Sequence, residues 1–181
     1  MDSQTSSALQ EIIDHHEIRK VLSVYCHGCD RGDEVRMSSV YLEDSWDDHG
    51  VYKGPGKGLA KRVMSKTGAD RTVTHLLGQS LINVKGDEAG AETYFFAVIA
   101  EKGQHSGDVL TQLGGRFVDT FLRVHGEWKI KKRTCVRDWS ISLDVTKDNL
   151  ANNNLVQGQL SGQDPSYAAL GLSHPGLPMK S

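Results

Sequence analysis

Asp30 and His75 are the two residues of this sequence best suited by type to moving a proton. Asp30 closes the stretch Tyr25-Cys-His-Gly-Cys-Asp30, which reads as the end of a helix, and His75 lies in the alternating segment Thr72-Val-Thr-His-Leu-Leu. A carboxylate and an imidazole on separate elements of a small domain can form a dyad. The acid selects the ring tautomer and raises its basicity, so the pair can abstract a proton without metal or cofactor. The bland alternative is a turn residue and a core histidine, because Asp-Arg-Gly-Asp is turn chemistry. The choice rests on whether the two side chains meet.

Two other clusters invite chemistry and withstand it poorly. Cys26-His-Gly-Cys29 is a CxxC, but zinc would want a second pair and Cys135 is the one other thiol. A thioredoxin-like motif opens a helix after a strand, whereas this one falls near a helix's C-terminal end. The pair reads as two half-buried helix thiols in a reducing compartment. Asp47-Asp48-His49 tempts a metal assignment, yet consecutive strand residues alternate faces and the three cannot all converge. Neither a metal nor a cofactor is expected.

The elements that must position Asp30 and His75 follow from periodicity. Ser7-x-x-Gln10 resembles a capping box, and Ile18, Val21, Leu22, Tyr25 and Cys29 recur at helical spacing until Gly32. A short helix is expected from Asp33, a strand over 45–52, and a third helix after Gly54-Pro55-Gly56 through Leu59, Val63 and Met64. From Arg71 the period becomes two, giving strands over 71–84, 91–102, 109–124 and 127–141, with a hairpin at His125-Gly126-Glu127. Gly78 and Gly114-Gly115 mark bulges or sharp bends. Helices first and long strands afterwards predict an α+β domain over 1–141, its helices on one face of an antiparallel sheet. Residues 142–181 read as a tail that wraps the domain or a neighbouring subunit, through Leu155, Tyr167, Leu170 and Leu172.

Composition narrows the partners. At 181 residues the chain can bury a core. Its scattered Lys and Arg and net charge of −2 argue against the basic stripe of a nucleic-acid binder. No apolar run approaches the roughly 20 residues that span a bilayer. Met1-Asp-Ser-Gln-Thr-Ser-Ser lacks the basic and apolar regions of a signal peptide. A cytoplasmic chain is expected, with no nucleic-acid or membrane partner.

Five motifs, in this order, resemble the SnoaL-like branch of the nuclear transport factor 2-like (cystatin-like) superfamily. They are Tyr25-x4-Asp30-Arg-Gly-Asp33, Asp47-Asp-His-Gly50, Thr74-His75-Leu-Leu-Gly78, Gly114-Gly-Arg-Phe-Val-Asp119 and Arg137-Asp-Trp139, and the resemblance spans residues 10–141. It implies a cone-shaped α+β barrel, a strongly curved mixed or antiparallel sheet that encloses a pocket with N-terminal helices. Enzymes of the superfamily include scytalone dehydratase, hexachlorocyclohexane dehydrochlorinase, bile-acid dehydratase, polyketide cyclases and ketosteroid isomerase. Others, such as the β-subunits of ring-hydroxylating dioxygenases, are not catalytic. The pattern is nearest to the bile-acid dehydratase and the dehydrochlorinase, in which an Asp near the end of the first helix pairs with a His on the first long strand. A Tyr five residues before that Asp and an Arg on the last strand complete the bile-acid site. Those places hold Asp30, His75, Tyr25 and Arg137 here.

The resemblance implies a cofactor-independent lyase, a dehydratase acting on a mid-sized, largely apolar cyclic or aromatic compound. His75, oriented by Asp30, would take a proton from carbon, Tyr25 would donate to the departing hydroxide, and Arg137 would hold developing negative charge. Trp46, Phe95, Phe117 and Trp139 are expected to wall the pocket. Isomerisation or carbon–carbon cleavage would begin from the same dyad. A non-catalytic ligand-binding or dioxygenase β-subunit-like protein is the reading from another class. The family also implies a homodimer or homotrimer built through the outer sheet face.

Overall fold

In the computed structural model, which describes residues 3–66, 71–102, 108–145 and 155–174, helix α1 (Ser3–Arg31) runs unbroken to the dyad aspartate. It starts at Ser3 rather than at the expected Ser7 cap, because the intervening residues include neither Pro nor Gly. Its inward face is Ile18, Leu22, Tyr25, Cys26 and Cys29, all buried. Gly32, at φ 69°, ends it in the left-handed region that glycine tolerates. Asp33 then caps α2 (Glu34–Ser39) by accepting the Arg36 N–H at 2.9 Å.

The first strand, β1 (Tyr41–Asp48), begins earlier than the expected 45. The N–H of Ile130 reaches the Val40 carbonyl at 2.8 Å, drawing the chain into the sheet there. Residues 45–52 are not one strand: Gly50, at φ 74°, sits in a reversal, and β2 (Lys53–Pro55) pairs back on β1. Helix α3 (Gly56–Lys66) follows, burying Leu59 and Ala60.

Four long strands complete the sheet: β3 (Thr72–Lys85), β4 (Glu88–Lys102), β5 (Asp108–Val124) and β6 (Glu127–Val145). The order is β2-β1-β6-β5-β4-β3, with β1 and β6 parallel and the other pairs antiparallel. The fold is therefore α+β with a mixed six-stranded sheet that stays open rather than closing into a barrel. The register slips between Leu77 and Ser80 and between Gly114 and Gly115, at the glycines the sequence marks, and such bulges bend a strand. The β5–β6 hairpin turns through His125 (φ 53°) and Gly126 (φ 83°), two left-handed residues in a two-residue loop, as a type I′ turn requires.

Strand β6 continues to Val145, past the expected end at 141, because Asp108–Thr111 pair with 142–145. The expected run Asn152-Asn-Asn154 lies outside the described residues. In the final described segment, Asp164 caps α4 (Pro165–Ala169) and buries Tyr167 against the end of α1 and the start of α2. Leu155 and Leu170 stay exposed. Among the described residues no helix is long and apolar enough to cross a membrane.

Gly28 is where α1 and α2 come closest. A Cβ there would lie 2.5 Å from the Met37 backbone nitrogen, against main chain that cannot swing aside. Gly28→Ala should therefore destabilise the fold by about 1–3 kcal/mol in urea unfolding. Gly90→Ala, where an added Cβ meets nothing within 4 Å, should change stability little.

Candidate active site

Asp30 and His75 meet. The Asp30 carboxylate receives two donors from one residue: Oδ1 lies 2.5 Å from His75 Nδ1, and Oδ2 accepts the His75 backbone N–H at 2.9 Å. The end of α1 is thereby fixed to β3 at this residue. Carboxylate oxygens accept, so Nδ1 carries the ring hydrogen and the lone pair is left on Nε2. Nε2 has no hydrogen-bond partner among the described residues and is not sealed from solvent. Both side chains are nearly buried, 11% and 12% exposed, a setting in which a hydrogen-bonded dyad keeps one geometry.

From His75 a line of aromatic rings crosses the concave face. Phe95 lies 6.4 Å from the imidazole and stacks on Phe117 at 4.4 Å. Tyr25 meets Phe117 edge-on at 5.6 Å, its hydroxyl 3.2 Å from His49 Nε2. His49 in turn is hydrogen-bonded through Nδ1 to Asp47, whose other oxygen accepts the Tyr41 hydroxyl at 2.6 Å. This second acid–imidazole pair is absent from the sequence reading, which weighed Asp47-Asp48-His49 only as a metal cluster. The structure shows why that cluster failed and the pair did not. Asp47 and His49, two apart, share a face, while Asp48 pairs with Lys53 on the other side. Burial opposes a charged His49 ring, yet its hydrogen bonds to Asp47 and Cys135 outweigh that and raise its pKa to about 9. Burial pushes the Tyr25 phenol well above its usual range, and the nearby Arg133 charge offsets this only in part, so the hydroxyl keeps its proton.

Arg133 is the other unforeseen residue. Fully buried, it makes a two-pronged pair with Asp119 (2.8 and 2.7 Å), and its guanidinium lies 4.2 Å from the Tyr25 ring centre and 4.1 Å from that of Phe117. Its role comes from cross-strand register, which a bulge hides from the sequence: Arg133 stands opposite Asp119 on the buried face. Arg137, the arginine named from sequence, pairs with Gly115 and shares that face, but nearer the rim, where it is exposed.

The expected pocket wall divides. Phe95 and Phe117 face inward, as buried residues of the concave side. Trp46 and Trp139, 49% and 45% exposed, point outward; Trp139 packs on Phe96 across the outer face. Alternation from the buried Asp47 puts Trp46 there, and the bulge at Gly114–Gly115 turns Trp139 out of step with Arg137, so neither walls the site. A groove of about 440 Å³ between Asn83, Gly90, Thr120 and Lys131 lies at the far end of the strands and contains none of the site residues.

The ligand atoms of Cys29, Asp30 and His75 lie within 4.8 Å of one another, close enough for a metal. Their chemistry does not fit one. Both Asp30 oxygens already hold His75, and burial pushes the Cys29 thiol up to about 12, away from the thiolate a metal needs.

A family model described as a SnoaL-like domain matches residues 10–134. No curated protein sequence matches. Among solved structures, a provisionally assigned scytalone dehydratase from Novosphingobium aromaticivorans superposes with a TM-score of 0.63 at 19% identity, over 77% of this chain and 93% of that one. The hexachlorocyclohexane dehydrochlorinase LinA-type3 from Novosphingobium barchaimii gives 0.66 at 15% identity, over 78% and 98%. A provisionally assigned aromatic ring hydroxylase from Novosphingobium aromaticivorans gives 0.63 at 18%, over 74% and 94%. At these identities the likeness is one of fold.

The raised His49 pKa makes stability depend on pH. The folded ring holds its proton more tightly than the unfolded one, which releases it near 6.5. Its contribution is therefore complete below about pH 6.5 and lost as pH rises through about 9. Urea midpoints of the wild type should fall across that window, and His49→Gln should flatten the fall.

Proposed function

The chain belongs to the SnoaL-like family, and on that footing we propose that it is a cofactor-independent lyase, a dehydratase. His75 Nε2 takes a proton from a carbon acidified by a neighbouring carbonyl, and hydroxide leaves from the next carbon as water. The observation that carries this reading is the double hold of Asp30 on His75, 2.5 Å to the ring and 2.9 Å to the backbone. Such a hold fixes the tautomer and points one unprotonated nitrogen away from the carboxylate, as a general base requires. An imidazole pinned on one nitrogen and open on the other supports this reading over that of a purely structural subunit.

The substrate class follows from the surface beside that nitrogen. The edges of the stacked Phe95–Phe117 pair offer apolar contact to a cyclic or aromatic compound, and Tyr25 stands beyond them with a hydroxyl to donate. Arg137, on the same face at the rim, is assigned to a substrate oxygen that gains negative charge. Isomerisation and carbon–carbon cleavage share the first proton transfer, and product analysis separates them from loss of water.

Incubation of cyclic β-hydroxy ketones in D2O tests the base directly. The wild type should place deuterium at the carbon beside the carbonyl and release water. His75→Ala, shown folded by circular dichroism, should lose about 10²–10⁴-fold of both. Asp30→Asn should lose nearly as much, since its amide has one oxygen for the two N–H donors of His75 and turns its NH2 against the other. Undiminished exchange in His75→Ala would rule out the base.

A further inference from the structure

The dehydratase reading names a base, His75, and a donor, Tyr25, and leaves that phenol without a means of regaining its proton. We infer that the Asp47–His49 pair is that means: its imidazolium recharges the Tyr25 phenol, which protonates departing hydroxide once His75 has removed the carbon-bound proton. The inference rests on the reading above and deepens it.

Geometry comes first. Asp47 accepts from His49 Nδ1, so the remaining ring hydrogen sits on Nε2, 3.2 Å from the Tyr25 oxygen. With that oxygen accepting, the phenolic hydrogen is free to point elsewhere. Tyr25 meets Phe117 while His75 meets Phe95, which places donor and base at opposite ends of the stacked phenylalanines. A ring lying along the edges of that pair would offer its acidic carbon to one end and its hydroxyl to the other.

The surrounding charge favours a protonated His49. The groups around it are Tyr25 from α1, Asp47 and, on the opposite face, Asp48 from its own stretch of chain, Asp119 from β5, and Arg133 and Cys135 from β6. The buried carboxylates Asp47 and Asp119 face a single buried guanidinium, that of Arg133. A proton on His49 balances the second carboxylate; without it the interior would hold one uncompensated negative charge, which burial opposes. The raised pKa agrees with this count.

The step balances. The C–H electron pair passes into an enolate as its proton goes to His75 Nε2, and from there it forms the new double bond. The C–O pair leaves with oxygen, which takes the Tyr25 proton to become water. Tyr25 is refilled by His49 Nε2–H, and His49 ends neutral while His75 ends charged. Solvent exchange restores both. No oxidant or further reactant enters. His49 acts through Tyr25, so it positions and supplies a proton rather than touching substrate.

Two measurements test this on the full chain. Long-range 1H–15N spectra of the histidine rings report tautomer and charge with no substrate present. His49 should carry both ring protons at neutral pH and lose the one on Nε2 near pH 9, and Asp47→Asn should lower that midpoint by more than about one unit. A His49 ring that is neutral at pH 7 in the wild type overturns the inference. The second measurement compares elimination from a cyclic β-hydroxy ketone with elimination from its β-chloro counterpart, whose chloride leaves without a proton. His49→Gln should lose at least about tenfold more on the hydroxy than on the chloro compound. Tyr25→Phe should do the same, and the double variant should be no worse than Tyr25→Phe alone. Equal losses on both compounds would mean a structural role only. Failure of the dehydratase reading itself looks different: His75→Ala would retain deuterium exchange whatever His49 does.

Discussion

The site depends on one carboxylate that has been placed against its electrostatic preference. Asp30 lies in the last turn of α1, where the exposed carbonyls of the helix make a negative charge unfavourable. Two N–H donors from His75, one from the ring and one from the backbone, offset that cost with charge-assisted bonds. Because both donors belong to one residue, the same contact that docks α1 on β3 also sets the ring's rotation and tautomer. Fold and chemistry share a single constraint, and neither can be loosened without the other.

A second constraint comes from burying charge. Arg133 and Asp119 are withdrawn entirely from solvent, which costs several kcal/mol per ion unless geometry restores it. Here the guanidinium gains two parallel hydrogen bonds and two aromatic faces, those of Tyr25 and Phe117, at cation–π distance. One guanidinium nitrogen, Nη1, keeps no partner among the described residues. The pair therefore anchors Tyr25 and Phe117 as a unit with β6. These rings lie between His75 and His49, so the spacing between the two imidazoles is set by a fully buried part of the interior.

Sequence carried the periodic part of this structure and lost what depends on register. The four long strands and the inward face of α1 were legible, because alternation and helical spacing report directly which side is buried. Asp30 and His75 were legible because each stands at a recognisable local place, a helix end and an inward strand position. Arg133 was not, since its role requires knowing that Asp119 lies opposite, and the slip between Thr120 and Phe121 in that pairing leaves no trace in composition. Trp46 and Trp139 were misplaced for a related reason. Large aromatic residues suggest a wall, but which face they take follows from counting through bulges that sequence locates only to within a residue or two. The missed Asp47–His49 pair differs again. Its spacing of two is visible in the sequence, and the alternation that keeps three neighbours from converging still lets the outer two meet.

The placement of Asp30 also depends on chain far away in sequence. The turn that follows it, Arg31-Gly32-Asp33, is clasped by the C-terminal segment. Arg31 pairs with Asp164 at 3.1 Å, and the buried Tyr167 donates its hydroxyl to Asp33 at 3.0 Å. Asp33 is thus held by three groups at once, since it also accepts the backbone N–H and the side-chain Nε–H of Arg36. A half-buried ion pair and a buried hydroxyl bond are among the polar contacts that contribute measurably to stability. Their effect here is positional: they stop the end of α1 from fraying, which helix termini otherwise do. A frayed last turn would move the Asp30 carboxylate by more than a hydrogen-bond length and free the His75 ring. The described segment around Asp164 and Tyr167 is therefore part of the scaffold that holds the proposed site.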